Sequence, residues 1–499
     1  MSQMNLFNGG LNTRLAPHLI GAADSVVNEN VDISKGALSP LKADTDESQL
    51  VDKSMVYFNG QWVSSTDDLD YVEFQEKLYY SDGSGRPQKS SDGTTWYNLG
   101  ITKPSAAPTV ATGGAGVLDA TYQYCYTYYN VNDGTESQPS TYSVEIVPAL
   151  QSVNVAVVAS SDAQVTNIRV YRIGGDLTAM TLVEEIANTT ATYNDNLGDL
   201  AVDGHLLDSS GNKEAPTGLK YLTETNAMFF GAVGDKLYYS DIAYVNYWSA
   251  FNFIDFPSEI TGLAVTQNGG LVFTAYETYI VTGNSPATLS KYLLSANQGC
   301  LLHKSIKYSN NTAVWLSSDG ICSSQGGEIV VSSRDKLGKL SLSNPKAAIV
   351  YDDVYYLSHD GGTLALDFRF RLAMVNLDVS PEGWHINDDT LYYSLDGDLY
   401  SLGTSVSNKE LTYRSGNISE GSLSNLKNYK VIYTHSSGTL TLTVYIDDIL
   451  VSTKILAEGS TEILVPQDKR LGYYISFGLT GTGTLNELEY KVEGRQNGR

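Results

Sequence analysis

Six histidines, three cysteines and several close carboxylates are the residues of this 499-residue chain with the most obvious chemistry, and their spacing argues against most of it. His18, His205, His303, His359, His385 and His435 are scattered. None lies three or four residues from another, so no helical metal pair exists. Cys125, Cys300 and Cys322 are odd in number and far apart, a pattern of neither a metal site nor a disulfide framework; reduced, mostly buried thiols are expected. DDTLYYSLDGD (388–398) and DGDLYS (396–401) bring carboxylates close enough for calcium, but the EF-hand spacing and its terminal Glu are missing. Solvated hairpin tips are the better reading. His359 and Asp360 fall in a turn as well. GNSPATLSKY (283–292) is turn chemistry, not a phosphate loop, and no serine sits in a G-x-S-x-G elbow. No cofactor or metal is implied.

SSDGTTW (90–96) is near the Asp box of sialidases and related propellers, Ser-x-Asp-x-Gly-x-Thr-Trp, but one residue short between Asp92 and Gly93. The box is a turn motif, in which the Asp caps a hairpin and the Trp packs inward, so Asp92 reads as turn chemistry. A sialidase would also need clustered arginines and a Tyr–Glu nucleophile pair, and neither can be assembled here. No catalytic residue is assigned.

The elements that carry these residues are strands. Tyr is abundant, at 35 residues against 12 Phe and 5 Trp, and there are 45 Gly but only 6 Met, a composition of half-wet sheets and turns. VYFNGQWV (56–63), KLYYSDGSG (77–85), AVWLSSDGIC (313–322), VYYLSHDGGTLAL (354–366) and LYYSLDGDLYSL (391–402) each read as strand, tight turn, strand. GDKLYYSDIAYVNYW (234–248) opens in the same way. A small antiparallel unit repeated in this manner predicts a β-propeller of roughly six or seven blades.

Two regions break the rhythm. After the Pro/Gly/Ala-rich connection ITKPSAAPTVATGGAG (101–116) come seven or so short strands within about one hundred residues, the pattern of an immunoglobulin or fibronectin III-like sandwich. Arg169 and Arg172 are its only Lys or Arg between 105 and 210. The propeller pattern resumes at APTGLKYL (215–222), so the sandwich reads as an insertion. From about Asn408 clean alternation predicts a C-terminal β-sandwich. The expected map is 1–103, N-terminal segment and first blades; 104–213, inserted sandwich; 214–407, remaining blades; and 408–499, C-terminal sandwich with a frayed GRQNGR tail.

The formal charge of −24 argues against tight nucleic-acid binding and against docking on anionic membranes. It does not oppose DNA sliding through an oligomeric channel. The opening residues lack a basic region followed by an apolar run, so no secretory signal is expected. No stretch reaches the length of a membrane helix, and no membrane anchor is expected.

Three phrases point to a family. FNGGLNTRLAPHLIGAADSVVNENVDISKGALSPLKA (7–43) couples a Gly-Gly turn, a Pro-His step and an Asn-rich stretch ending in Gly-Ala-Leu-Ser-Pro. KLYYSDIAYVNYWSAFNFIDFPSEITGLAVTQNGGLVFTAYETYIVTG (236–283) and LLSANQGCLLHKSIKYSNNTAVWLSSDGICSSQGG (293–327) follow in order. Together they resemble the tail nozzle, or tail tubular B-like, proteins of short-tailed bacteriophages, over residues 7–100 and 215–405. The resemblance implies a non-enzymatic virion protein, assembled in the host cytoplasm, that forms a ring, usually of six copies. Its partners would be head-to-tail adaptor proteins, tail fibres or spikes, and packaged DNA passing through the lumen without specific binding. The runner-up is a tail-associated receptor- or glycan-binding adhesin, and a carbohydrate-active propeller enzyme comes third. Tyr244, Tyr247, Trp248, Phe251 and Phe253, with Phe256, form an aromatic excursion at 241–258. They are expected to pack a loop onto the propeller or to form a subunit interface.

Overall fold

Asp388-Asp389, Asp352-Asp353, Asn310-Asn311, Asn226-Ala227 and Gln75-Glu76 are pairs of neighbours that both adopt positive φ. Each joins two strands whose flanking residues pair directly: Asn387 with Thr390, Tyr351 with Val354, Ser309 with Thr312, Thr225 with Met228, and Phe74 with Lys77. These are two-residue type I′ turns, whose twist matches that of the strands they connect, and Asn and Asp tolerate the left-handed conformation best. They close the first hairpin in five of six four-stranded antiparallel units, one of which, 348–377, is the first part of a larger sheet. Those units span 70–98, 220–255, 260–295, 307–331, 348–377, and 383–401 with Thr45–Leu50. Each is a meander in sequence order, except that the last takes its fourth strand from the N-terminal segment, and such a meander is a propeller blade. Of the residues the structure describes, 53% are strand and 2% helix. The fold class is an all-β propeller.

The computed structural model describes residues 2–4, 7, 9–32, 37–202, 204–208, 213–369, 373–421 and 424–494. The ISKG of the N-terminal phrase, Gly211 of the second join and most of the GRQNGR tail lie outside the described residues. Two compact units are present: residues 1–68, 261–282 and 291–499, and residues 69–260 with 283–290.

In the first unit the outer strand of the 383–401 blade is Thr45–Leu50, supplied by the N-terminal segment, with Tyr400 opposite Asp46 and Ser401 opposite Thr45. The beginning of the chain is thus hydrogen-bonded to the end of its repeat. Ser54–Phe58 and Gln61–Ser65 form a separate hairpin around Asn59-Gly60. The Asp360-Gly361-Gly362 turn places a glycine where a side chain would collide. At Gly362, φ is +124° and a Cβ would stand 2.3 Å from the Leu377 carbonyl oxygen.

The C-terminal sheets differ from the sequence reading in one respect: they are not built from 408–499 alone. Ser2–Met4 pairs with Thr484–Gly494, and Asp24–Glu29 lies antiparallel to Leu411–Ser415. Asp24–Glu29 also bridges to Asn376 of the 348–377 blade. The sequence DSVVNE of Asp24–Glu29 carries no record of its partner. Phe7, Tyr413, Tyr429, Leu442, Val444, Phe477 and Tyr490 fill the core beneath these sheets.

In the second unit, seven strands between Thr109 and Asp195 form a three-on-four sandwich. Tyr122–Asn130 pairs with Asn167–Gly174, which pairs with Leu177–Ala187. Thr109–Leu118 pairs with Gln151–Ala156, which pairs with Thr192–Asp195. This is the C–F–G and B–E pairing of an immunoglobulin-type sandwich without its first strand. Tyr124, Tyr126, Val153, Val155, Ile168 and Val170 are its buried centre.

Candidate functional site

The aromatic excursion runs between the third and fourth strands of the 220–255 blade, Lys236–Tyr239 and Phe253–Asp255, and its five candidate side chains go separate ways. Trp248 is buried in the blade core with Leu219, Phe229 and Val245, and its indole N–H donates to the Val245 carbonyl at 2.9 Å. Tyr247 turns toward the inserted sandwich. Its hydroxyl accepts the Glu136 N–H at 3.0 Å and donates to the Gly134 carbonyl at 3.2 Å. Burial pushes that phenol up to about 12. Tyr244 stacks on Tyr247, with centroids 5.9 Å apart, and stays 63% exposed. Phe251 is 86% exposed. Phe253 is half-buried, with the Lys236 ammonium 4.3 Å above its ring.

The excursion therefore docks the inserted sandwich onto its neighbouring blades. Asn246 Nδ2 donates to Thr135 Oγ1 at 2.9 Å, and Asn246 Oδ1 accepts from the Lys89 ammonium at 3.2 Å. Gln164, buried in the sandwich, donates to the carbonyls of Asn98 and Gly100 at 3.2 and 3.3 Å. Both basic residues of the sandwich are used internally. Arg172, fully buried, donates to Asp195 at 2.6 Å and Asp199 at 2.9 Å. Arg169 lies between Glu136 and Glu185 and over the Tyr129 ring. The outward charge of this module is left to its carboxylates.

The other sequence candidates are structural. Asp92 Oδ1 accepts the Thr94 and Thr95 N–H groups at 2.8 and 2.7 Å, which hold its carboxyl below the usual carboxylate range. Trp96 packs edge-on against Tyr80 with centroids 4.7 Å apart. Asp388, Asp389 and Asp396 occupy hairpin turns at positive φ. Among the described residues no group of three or more His, Cys, Asp or Glu side chains is placed to hold a metal ion. His359 Nδ1 accepts the Gly361 N–H at 3.0 Å, and His385 Nε2 accepts that of Tyr57 at 3.1 Å. Cys125, Cys300 and Cys322 are buried free thiols, each pushed up to about 12 by burial.

One cavity of about 580 Å³ in the first unit is lined by Lys42, Tyr351, Asp389, Asn408 and Lys409, among others. Its cations are already engaged. Lys409 sits between Asp44 and Asp378 at 2.9 and 2.8 Å, and Lys42 donates to Val406 O and Asn408 Oδ1. Neither buried Arg172 nor the Lys89–Asp133 contact was among the sequence candidates, because isolated basic residues in strands carry no motif.

No known family matches the sequence, and no curated protein matches it. Among solved structures, BamB from Moraxella catarrhalis aligns over 72% of this chain and 99% of its own, at 10% identity and a TM-score of 0.29. The Dos1 propeller aligns over 74% and 95%, at 10% identity and 0.30. BBS1N, solved in complex with ARL6DN, aligns over 74% and 98%, at 10% identity and 0.31. None of these likenesses carries a function to this chain.

Proposed function

We propose that this chain is a non-catalytic structural protein of a short-tailed phage virion, a subunit of the tail nozzle ring that holds packaged DNA and conducts it at ejection. The observation that carries the reading is the order of the three family-like phrases and where they fall. The first spans Asp24–Glu29, which joins the C-terminal sheets, and stops just before the strand that completes the last blade. The second spans the later strands of the 220–255 blade and the first three of the 260–295 blade. The third runs from Leu293 through the central strands Thr312–Ser317 and Gly320–Ser324 of the next blade. Each phrase is thus a blade or blade-joining segment, consistent with a resemblance at the level of a whole scaffold. An excess of 24 negative charges supports a lumen to which a polyanion would not adhere, since sticking requires released counterions at basic contacts.

Imaging of virions carrying an epitope-labelled copy tests the reading. A ring of label on the tail axis, with free protein monomeric or weakly associated until the adaptor is present, is the expected result. Label at the periphery, stable trimers, or three copies per tail would overturn it. Peripheral label is the outcome expected of the second reading, a receptor- or glycan-binding adhesin, which the exposed rings of Tyr244 and Phe251 favour.

A further inference from the structure

Arg86 precedes the strand Gln88–Ser90, and its guanidinium is only partly satisfied. Nη2 donates to Thr102 Oγ1 at 2.8 Å, while Nη1 is shielded from solvent and has no hydrogen-bond partner. The Nη2 side, where the bond to Thr102 is exposed, is therefore the part of the guanidinium open to a ligand. Arg86 lines a cavity of about 370 Å³ together with Thr102, Lys213, Glu214, Tyr238, Trp248 and Ser249. The volume is within the range of small-ligand sites. No carboxylate among the described residues reaches the Lys213 ammonium. Two cations thus face one lining carboxylate, in a chain whose net charge is −24.

The walls limit the ligand further. Tyr238 and Trp248 give an aromatic side, and Thr102 and Ser249 give hydroxyls. A guanidinium fork suits a planar carboxylate, an aromatic face suits the C–H face of a sugar ring, and hydroxyls suit its substituents. An inorganic anion would leave the aromatic side unused. A neutral sugar would leave the two cations with no counter-charge besides Glu214.

We propose that this cavity binds a carboxylated monosaccharide unit of the uronic-acid type, with the carboxylate on Arg86 and Lys213 and the ring against Tyr238. The proposal does not depend on the nozzle reading, because the cavity lies wholly on residues of the second unit. The ligand is either a free acid or one residue of an acidic polysaccharide.

Titration of the full chain with glucuronate, glucose and inorganic phosphate, followed by saturation-transfer NMR and calorimetry, tests it. Glucuronate is expected to bind at least about tenfold more tightly than either control, the loss anticipated when a charge-assisted pair is removed. Arg86→Gln should weaken glucuronate by about tenfold or more and leave the weak glucose signal alone. Lys213→Gln, in the same lining, supplies the same readout should Arg86→Gln not fold. A glucuronate-containing tetrasaccharide binding more tightly than the monosaccharide assigns a polymer; equal affinity assigns the free acid. Phosphate equal to glucuronate, glucose equal to glucuronate, or indifference to both substitutions would each overturn the proposal.

Discussion

Lys89 of the 70–98 blade and Asp133 of the inserted sandwich meet at 2.7 Å, with side chains only 5% and 11% exposed. Burial lowers the Lys89 ammonium and Asp133 opposes that; burial raises the Asp133 carboxyl, yet Lys89 and Thr135 hold it below its ordinary value. The geometry favours an ionised pair at neutral pH. Asp133→Ala would leave the ammonium with Asn246 and, more distantly, other neighbours, and should cost about 3 kcal/mol, as expected for breaking a buried pair. Urea unfolding of the single variants and of Lys89→Met/Asp133→Leu measures it. The double variant should lose less than the two single losses added, and strict additivity would refute the coupling.

The inserted sandwich has its own core and should fold alone as residues 104–213. Replacing the segment between Ser105 and Lys213 by a short Gly/Ser bridge should leave folded blades, since each doubling of loop length costs only about 0.6 kcal/mol. That variant should still be less stable than the parent, because it loses the Asp133, Glu136 and Gln164 contacts. Adding Lys89→Met should restore part of the difference in thermal unfolding. An insoluble or molten product would make the segment part of the propeller core.

Arg172 is the sandwich's internal cation, with Asp195 equally buried. The same carboxylate accepts the Tyr124 hydroxyl at 2.8 Å. Arg172→Met strands Asp195 and should cost about 3–5 kcal/mol. A well-packed Arg172→Met/Asp195→Leu double variant should recover most of that loss in denaturant titrations.

His385 is held neutral by burial, its value lowered to about 4, and accepts the Tyr57 N–H that joins the 54–65 hairpin to the 383–401 blade. An unfolded histidine titrates near 6.5. Between about 6.5 and 4 the unfolded chain therefore binds the extra proton. The contribution is complete above pH 6.5 and is lost as pH falls toward 4. Discounted for partial exposure, the loss should be about 1–2 kcal/mol. His385→Gln, which can still accept the N–H, should flatten that part of the stability–pH curve.

The proposed non-catalytic role expects no turnover of sialosides or host polysaccharides. Asp92→Asn should speed hydrogen exchange of the Thr94 and Thr95 amides without changing any activity. Hydrolysis that disappears with Asp92→Asn would refute both statements.

Local chemistry was legible in the sequence. Alternation marked the strands, Asn59-Gly60 and Asp396-Gly397 marked tight turns, and the turn reading of SSDGTTW agrees with the Asp92 hydrogen bonds, because these features are settled by neighbours within a few residues. The glycine-free turns at Asn310-Asn311, Asp352-Asp353 and Asp388-Asp389 carried the same information in a less familiar form. Which strands meet was decided only by the tertiary structure. Thr45–Leu50 completes a blade more than three hundred residues away, and Asp24–Glu29 joins the C-terminal sheet, although neither TDESQL nor DSVVNE carries any mark of its partner. The same holds for side chains. Lys89 finds Asp133, Arg172 finds Asp195, and Tyr247, still stacked on Tyr244, reaches Glu136, because charge and hydrogen-bond partners are chosen by proximity in the packed chain, and no spacing in sequence encodes it.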